Sequence, residues 1–290
     1  MEEVPVIMPD LGGKRVLITG AAQRLGAVIA HAFADCGAAV VVHCFRSVDE
    51  AERLAASLSP CPAPFHHEVA VCDLADLDAV RRMAETVGPV DFLINNAAMW
   101  IRGNAPQDEL DCQEVVNHLA PCELIRAFAR MRPQERGFSV VNILDAATIS
   151  ASATASPYES AKAALRHDTL VLACELAPHV RVNAVEPGPV FPPRKLGDAG
   201  MKHIPGTLPL KRPVDPRDIA CAVVFLASAP SITGAVLPVD CGQSLLSQQP
   251  GKASEHETFC VPPDFRHTSD RPSPDHARRS TAQTENRKDA

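Results

Sequence analysis

The chain has 290 residues, 46% of them hydrophobic, which is enough to bury a sizeable core in one large domain. Its formal net charge of −7 at pH 7 argues against a nucleic-acid partner or an anionic membrane surface. No apolar run reaches the roughly 18 residues that a membrane span needs, and the acidic N-terminus does not resemble a signal peptide, so a cytoplasmic protein is expected.

Short apolar runs alternate with helical patterns along most of the chain. Strands that are apolar on both faces, each followed by a helix, indicate an α/β fold. We expect a single Rossmann-like domain with a doubly wound parallel seven-stranded sheet and helices on both faces. The predicted strands are Arg15–Thr19, Ala39–Cys44, His67–Cys72, Asp91–Asn95, Ser139–Leu144, Arg181–Val185 and Val236–Asp240. The predicted helices are Leu25–Cys36, Val48–Leu58, Leu77–Val87, Leu110–Met131, Pro157–Leu176 and Pro216–Leu226.

The composition also predicts the domain limits. Residues 12–246 form the predicted domain, and residues 1–11 are a short N-terminal extension. Within the domain, residues 189–213 are rich in Pro, Gly and Lys, and a connection of this length is usually either a functional lid or a poorly ordered segment. We expect a loop that covers the substrate. Residues 247–290 are polar, charged and Pro-rich, and are expected to be disordered.

The ten cysteines and eleven histidines are scattered through the chain. The absence of a Cys-x-x-Cys pair favours free thiols in a reducing compartment. The histidines also lack ligand spacing, and His66-His67 more simply flanks a strand than binds a metal. His118 is interpreted as a helical histidine packed against its neighbours. The sequence therefore predicts no metal site.

A glycine-containing turn, Thr19-Gly20-Ala21-Ala22-Gln23-Arg24-Leu25-Gly26, follows the first strand. Gly20 permits a tight turn, and Gly26 allows the next helix to pack close to the sheet. The N–H groups at the start of that helix would then face a pyrophosphate. This turn therefore predicts a dinucleotide site formed by Gly20, Arg24, Leu25 and Gly26.

The end of the second strand indicates which dinucleotide binds. An NAD site usually has an acidic residue there, but this chain has Arg46 and Ser47. A guanidinium and a hydroxyl suit a 2′-phosphate, and Arg24 supplies a second cation, so NADP(H) is predicted over NAD(H). The alternative is a surface arginine before a helix that a Ser47–Glu50 capping box would begin.

The only tyrosine, Tyr158, lies four residues before Lys162. Residues at this spacing share a helix face, so both side chains can point into one cleft. The ammonium is expected to lower the tyrosine pKa from about 10, which suits proton donation to an atom that receives a hydride. The alternative is an exposed helix pair.

These motifs occur in the order seen in the short-chain dehydrogenase/reductase family, which the chain resembles across residues 12–246. The matching elements are the glycine turn, Asp73-Leu74, Asn95-Asn96-Ala97-Ala98, Asn117-His118-Leu119, Tyr158-x-x-x-Lys162 and Pro187-Gly188. The resemblance implies that Asp73 and Leu74 bind the adenine end and that Asn96, Ala97, Pro187 and Gly188 line the cofactor. It also implies that Asn117 holds a water in a proton relay with Lys162, which binds the nicotinamide ribose. Finally, it implies a homotetramer built through the helices predicted over Leu110–Met131 and Pro157–Leu176.

Two departures from the family pattern resemble its pteridine reductase branch, which includes the dihydromonapterin reductases. Asp145 stands thirteen residues before Tyr158, where the family normally has serine, and Arg24 replaces the middle glycine of the turn. A carboxylic acid can pass a proton to a ring nitrogen, which a serine hydroxyl does poorly at neutral pH. Trp100 stands where that branch has an aromatic that stacks on the pterin; the alternative is a core tryptophan. Ala98 replaces the usual serine, so one substrate hydrogen bond is lost or moves to a backbone group.

The sequence therefore predicts NADPH-dependent reduction of a dihydropterin, a pterin or a similar flat heterocycle. The predicted catalytic residues are Asn117, Asp145, Tyr158 and Lys162, and the predicted substrate contacts are Arg24, Ala98, Trp100, Asp145 and Tyr158. One alternative is a carbonyl or 3-oxoacyl reductase, in which a serine normally binds the substrate oxygen. Another is a non-catalytic NADPH-sensing regulator, against which the intact proton relay argues.

Overall fold

Seven parallel strands form one sheet. The structure is a computed structural model that describes residues 9–101, 105–131, 137–149, 156–191 and 204–246. The strands are β1 (Arg15–Ile18), β2 (Ala39–Cys44), β3 (Glu68–Val71), β4 (Phe92–Asn95), β5 (Phe138–Ile143), β6 (Val180–Pro187) and β7 (Val236–Val239). Their spatial order is β3-β2-β1-β4-β5-β6-β7, and every neighbouring pair is parallel. The predicted doubly wound parallel sheet is confirmed.

The helices follow the predicted alternation, with one interruption. They are α1 (Arg24–Asp35), α2 (Val48–Ser57), α3 (Leu77–Val87), α4 (Gln107–Glu114), α5 (Ala120–Met131), α6 (Pro157–Glu175), α7 (Ile204–Thr207), α8 (Pro216–Ser228) and α9 (Gln243–Leu246). The helix predicted over Leu110–Met131 begins earlier and is divided by a π-helical turn, Val115–Leu119, between α4 and α5. The helices α7 and α9 were not predicted, because four residues are too few to show a periodic pattern.

The sheet is buried on both faces, because successive side chains of a strand point to opposite sides. Val16 and Ile18 of β1 pack in the core formed with α1, α2 and α8, whereas Leu17 packs in the core formed with α3, α5 and α6. All six residues of β2 and of β5 are buried. This two-sided burial explains why the strands are continuous apolar runs in the sequence.

The parallel arrangement brings the carboxyl ends of the strands to one edge. The candidate residues on the loops after β1, β2, β4, β5 and β6 therefore share that edge, which is where ligands bind in open α/β sheets. The strand order reverses between β1 and β4, so the glycine turn and the Asn95-Asn96-Ala97-Ala98 segment lie beside each other at the switch point.

Several predicted features lie outside the described residues. These are the N-terminal extension up to residue 8, the central part of the loop over residues 189–213, and the tail over residues 247–290. Their predicted roles stay predictions. Among the helices that the structure describes, none combines the length and the apolar character needed to cross a membrane.

Candidate active site

The glycine turn has the tight geometry that its sequence predicts. Gly20 has a φ of +62°, and a Cβ atom placed on it would lie 3.0 Å from the Cα atom of Ala97. A Cβ atom on Gly26 would overlap the carbonyl oxygen of Gly20 and lie 2.8 Å from the Cα atom of Ala21. Both positions therefore require glycine, one for its backbone conformation and both for the close approach of neighbouring backbone.

Thr19 and Asn96 tie this turn to the loop after β4. The Asn96 Nδ2 group donates to the carbonyl oxygens of Thr19 and Gly20, at 2.9 and 3.2 Å. The Thr19 Oγ1 atom accepts hydrogen bonds from the N–H groups of Asn96 and Ala97, at 2.9 and 3.0 Å. Sequence reasoning placed Asn96 and Ala97 in the cofactor site but gave no role to the buried Thr19, although its place as the first residue of the glycine turn was the available signal.

His43 is a second residue that sequence reasoning missed. It is buried at the end of β2, where its Nδ1 atom accepts from the N–H of Gly20 at 3.1 Å and its Nε2 atom donates to the carbonyl of Cys72 at 3.2 Å. These partners fix the neutral imidazole with its proton on Nε2. Burial lowers the pKa of His43 to about 4. The glycine turn therefore depends on an uncharged histidine beneath it.

We expect the folded state to lose stability in acid because of His43. Between pH 6.5 and about 4 the unfolded chain binds a proton at this histidine that the folded chain does not, so stability falls as the pH drops through this window. The contribution amounts to about 3 kcal/mol once the pH is below 4. Urea unfolding across this range should show a shallower pH slope for His43→Asn than for the wild type. The exposed His31→Gln control should retain the wild-type slope; an equal slope in His43→Asn would contradict this assignment.

The end of β2 presents the two residues predicted to select the cofactor. Arg46 and Phe45 are exposed, and the Arg46 guanidinium lies 4.8 Å from the centre of the Phe45 ring. The Ser47 Oγ atom accepts a hydrogen bond from the Gln23 Nε2 group at 3.0 Å. The predicted Ser47–Glu50 capping box is wrong, because the Ser47 side chain makes no capping bond to α2 and faces the glycine turn instead.

These residues fit a dinucleotide phosphate. The Gln23 side chain does not cap α1, so the positive end of this twelve-residue helix faces the turn without a side-chain acceptor from its N-cap residue. Arg46 and Ser47 follow the neighbouring strand β2, and no acidic residue occurs between the end of that strand and Asp49. Further along the edge, the Asp73 Oδ1 atom accepts from the N–H of Ala75 at 2.9 Å, and Leu74 is buried beside it. This is the arrangement expected around the adenine end of the cofactor.

Arg24 occupies an unusual backbone position at the start of α1. Its φ is +53°, a left-handed conformation in which glycine is the usual residue. Its guanidinium lies 5.1 Å from the centre of the Phe191 ring, within the range of a cation–π contact. Phe191 is the third residue of the loop predicted over residues 189–213 to cover the substrate, and sequence reasoning did not single it out. Because this position holds arginine and not glycine, a guanidinium contacts the start of that loop at Phe191.

Asp145, Tyr158 and Lys162 come together between β5 and α6. The Tyr158 hydroxyl donates to Asp145 Oδ2 at 2.9 Å, and the Lys162 Nζ group donates to the carbonyl of Ile143 at 2.7 Å. The start of α6 is fixed by a capping box between Ser156 and Glu159, which holds Tyr158 in the first turn. Tyr158 therefore contacts Asp145 directly, and the charge of Lys162 acts on Asp145 from nearby.

The predicted pKa shift of Tyr158 is wrong in direction. Burial, together with the charge of Asp145 and its hydrogen bond, raises the pKa of Tyr158 well above its usual range. Burial also raises the pKa of Asp145, and it lowers the pKa of Lys162, a residue only 2% exposed, to about 8. Desolvation outweighs the attraction of the ammonium for a phenolate, so Tyr158 is held as a neutral proton donor.

Asn117 has a different contact from the one implied by the resemblance. It lies in the π-helical turn, fully buried, and its amide forms two hydrogen bonds with the backbone of Met99. The Nδ2 group donates to the Met99 carbonyl at 2.7 Å, and the Oδ1 atom accepts from the Met99 N–H at 2.9 Å. The side chain therefore anchors the loop after β4, and any water in a relay would have to use the backbone of this turn.

Trp100 projects from the same loop. Its side chain is 55% exposed, so the alternative of a core tryptophan is wrong. The N–H of Ile101 donates to the Oε1 atom of Gln113 at 2.9 Å. Gln113 and Asn117 are four residues apart and hold the backbone on either side of Trp100. Gln113 was missed by sequence reasoning. Ala98, on the same loop, is exposed.

Gly188 completes the edge after β6. A Cβ atom on Gly188 would lie 2.7 Å from the Cα atom of Asp240, and the Gly188 N–H donates to the carbonyl of Val239 at 3.0 Å. Pro187 before it is buried at the end of β6. The Pro187-Gly188 pair therefore brings the end of β6 against the end of β7.

Comparison with known proteins agrees with this geometry. Residues 20–244 match the family profile described as Enoyl-(Acyl carrier protein) reductase. The chain is 33% identical to L-xylulose reductase of Mesocricetus auratus over 246 residues, which cover 80% of this chain and 98% of that protein. It is also 33% identical to galactitol 2-dehydrogenase of Rhizobium johnstonii over 251 residues, covering 80% and 95% of the two chains.

The fold is also similar to that of a solved oxidoreductase structure. The structure of FolM alternative dihydrofolate reductase 1 from Brucella canis complexed with NADP superposes with a TM-score of 0.73 at 30% identity, covering 84% of this chain and 99% of that one. The family profile, over residues 20–244, spans the glycine turn from Gly20 on, the Asn117 helix, the Tyr158–Lys162 pair and the Gly188 turn. The chain belongs to the short-chain dehydrogenase/reductase family of oxidoreductases.

Proposed function

We propose that the protein is an NADPH-dependent reductase of a dihydropterin or a related flat heterocycle, of the dihydrobiopterin, dihydromonapterin or dihydrofolate type. The observation that carries this proposal is the hydrogen bond between the Tyr158 hydroxyl and the Asp145 carboxylate. The similarity to a FolM alternative dihydrofolate reductase supports it. The proposal rests on three groups at the carboxyl-terminal edge of the sheet. These are the predicted phosphate-binding residues, the proton donor Tyr158 and the exposed ring of Trp100.

The cofactor is NADP(H). Arg46 and Ser47 offer the charge and the hydroxyl that suit a 2′-phosphate, and the FolM structure to which the chain is similar is an NADP complex. Gly20, Leu25 and Gly26 shape the turn that receives the pyrophosphate. When bound, NADPH supplies the hydride.

Replacing Arg46 with alanine is expected to weaken NADPH binding by about 1–3 kcal/mol, the contribution of a charge-assisted contact, and to leave NADH binding nearly unchanged. Fluorescence titration with both cofactors measures the difference. The matched control is Arg53→Ala, which removes an exposed arginine from α2 and should alter neither affinity. Equal losses for NADPH and NADH would show that Arg46 does not contact the 2′-phosphate.

The proton comes from the Asp145–Tyr158 pair. Tyr158 donates to the substrate atom beside the carbon that is reduced, and Asp145 holds the hydroxyl in place at 2.9 Å. Lys162 is buried, and its ammonium donates a hydrogen bond to the Ile143 carbonyl. Its positive charge counteracts the rise in the pKa of Asp145 that burial causes, and so favours release of a proton from the pair to the substrate. A carboxyl group suits a ring nitrogen as the proton acceptor, because it can both orient a ring N–H and exchange a proton with it.

Trp100 is the proposed platform for the heterocycle. It stands exposed on a loop whose backbone is held on both sides by Asn117 and Gln113, so a stacked ring would meet a preorganised surface. Arg24 and Ala98 border the same edge, and Phe191 lies against Arg24. We propose that these residues orient the substrate opposite Tyr158.

The decisive experiment compares substrates across Asp145 variants. Wild-type enzyme with NADPH is expected to reduce dihydropterins and to act poorly on simple ketones and 3-oxoacyl thioesters. Asp145→Asn keeps the shape but loses the transferable proton, so kcat for the pterin should fall by about 10²-fold or more. Asp145→Ser should damage pterin reduction and preserve or improve carbonyl reduction. Trp100→Ala should mainly raise the KM for the pterin.

Good turnover of carbonyl substrates with no turnover of dihydropterins would overturn the pterin proposal. The second candidate, a carbonyl or 3-oxoacyl reductase, would then stand, and the names of the sugar-related relatives support it. NADPH binding without turnover of any substrate would instead favour an NADPH-sensing regulator.

The exposed apolar residues of α6 support a homotetramer built through α4–α5 and α6. Three large apolar side chains are each about 40% exposed: Leu170 and Val171 on α6, and Leu119 at the end of the π-helical turn. Contact with another subunit would bury them and stabilise the assembly. Light scattering after size-exclusion chromatography tests this assembly. A monomeric wild-type protein at micromolar concentration would contradict it.

A further inference from the structure

Away from the proposed active site, three chemically different ligand groups converge between α4–α5 and α6. His118 lies in the π-helical turn, Cys122 lies one turn later on α5, and Asp168 lies on α6. The His118 Nε2 atom is 2.9 Å from Asp168 Oδ2, and the Cys122 Sγ atom is 3.4 Å from the same oxygen. The ligand atoms of these three residues all lie within 4.8 Å of one another.

A fourth residue orients the histidine. The Glu114 Oε1 atom accepts a hydrogen bond from the His118 Nδ1 atom at 2.6 Å. A metal-bound histidine usually coordinates the ion through one ring nitrogen and donates its other ring N–H to a carboxylate. Glu114 supplies such a carboxylate to His118, and the other ring nitrogen of His118 faces Asp168. Glu114 would go on accepting the hydrogen bond from the His118 Nδ1–H group, and His118 Nε2 would coordinate the ion.

We propose that His118, Cys122 and Asp168 bind a zinc ion, with Glu114 as the outer partner of His118. In a tetrahedral zinc site with bonds of 2.0–2.3 Å, neighbouring ligand atoms are about 3.3–3.7 Å apart. The Cys122–Asp168 separation of 3.4 Å already has this value, whereas His118 Nε2 would have to move away from Asp168 Oδ2 from its present 2.9 Å. An imidazole and a thiolate together favour Zn²⁺ over Mg²⁺ or Ca²⁺. The ion replaces the thiol proton and the proton between Nε2 and the carboxylate, which are released on binding, and a water completes the coordination.

This site would lie apart from Tyr158 and would act on stability, not in the proposed reduction. Asp168 lies ten residues after Tyr158 on α6, about 15 Å along the helix axis at 1.5 Å per residue. The ion would join α6, which carries Tyr158 and Lys162, to the helical segment that carries Asn117. Zinc is therefore expected to raise the melting temperature, and its binding can be measured without any turnover.

The test uses the full chain, purified without a histidine tag and stripped with a chelator. Calorimetric titration with Zn²⁺ should show one ion per chain at this site, and Zn²⁺ should raise the melting temperature. Titration with Co²⁺ should give the absorption bands of a tetrahedral cobalt ion with a thiolate ligand. An excess of Mg²⁺ should not compete for the site.

Variants identify the ligands. Cys122→Ser should abolish the thiolate-to-cobalt band, Asp168→Asn should lower zinc affinity at least tenfold, and Glu114→Gln should lower it 10–100-fold as an outer contact. The matched controls are Cys174→Ser on α6 and His31→Gln on α1, which change exposed residues outside the cluster, and both should bind zinc as the wild type does. If Cys122→Ser fails to fold, the zinc affinities of Asp168→Asn and Glu114→Gln, which change more exposed positions, test the site instead.

The proposal is overturned if the cobalt-loaded wild type shows no thiolate band. It is equally overturned if the band persists in Cys122→Ser, or if zinc affinity and the zinc-dependent rise in melting temperature are unchanged in both Asp168→Asn and Glu114→Gln.

Discussion

Replacing Tyr158 with phenylalanine is expected to lower kcat by about 10²–10⁴-fold on any substrate, the usual contribution of a positioned proton donor. The change removes only the hydroxyl oxygen, which donates to Asp145 at 2.9 Å, and keeps the ring that packs at the start of α6. NADPH affinity should stay close to that of the wild type, because the phosphate-binding turn and Arg46 lie at other strand ends. Steady-state kinetics and cofactor titration measure the two quantities.

The matched control is Ser156→Ala, which removes the helix cap two residues before Tyr158. It should cost about 1 kcal/mol of stability, typical of a lost N-cap, while leaving the phenol in place. This variant should therefore keep most of the turnover despite a lower melting temperature. Wild-type kcat in Tyr158→Phe would exclude the phenol as the proton donor, and an equal loss in Ser156→Ala would show that the helix start and not the hydroxyl limits the rate.

The sheet could be predicted from the sequence because its signals are local. Each strand of a two-sided parallel sheet is a continuous apolar run, and the helices between them show their own periodicity, so the alternation is visible before any contact is known. The placement of Gly20, Asp145 and Gly188 at one edge follows from the parallel direction alone. The π-helical turn at Val115–Leu119 could not be predicted, because one inserted position barely changes a helical pattern.

The electrostatics of the site depended on burial, which the sequence does not contain. The spacing of Tyr158 and Lys162 predicted a lowered tyrosine pKa, whereas the depth of the pair raises it. His43 received no role beyond its place within the predicted strand Ala39–Cys44, although its neutral ring supports the glycine turn. Both differences arise because a desolvation energy requires the positions of residues that are distant in the chain.

The proposed zinc ligands illustrate the same limit. His118 and Cys122 are four residues apart, a spacing visible in the sequence, but the expectation of no metal site rested on ligand spacing within single segments. Asp168 comes from another helix, 50 residues after His118. Only the packing of α6 against the π-helical turn brings the three ligand groups together.

Gly26→Ala is expected to have the largest effect on the cofactor site. The added Cβ atom would overlap the carbonyl oxygen of Gly20 and lie 2.7 Å from Asn96 Nδ2 and 2.8 Å from the Cα atom of Ala21. Two of these three contacts are backbone atoms, which cannot rotate away as a side chain would. Either α1 moves outward from the sheet, or the turn gives up its hydrogen bonds with Asn96.

Both responses should damage binding and stability together, at or above the 1–3 kcal/mol typical of overpacking. Thermal melting and NADPH titration of Gly26→Ala measure the two effects, and we expect NADPH affinity to fall at least tenfold. The matched control is Gly206→Ala on α7, where an added Cβ atom meets no atom of the described residues within 4 Å and the melting temperature and affinity should not decrease. If Gly26→Ala melts and binds NADPH as the wild type does, the close approach of α1 to the sheet is not what forms the phosphate site. The dinucleotide would then have to be held by the strand ends alone, through Arg46 and Ser47.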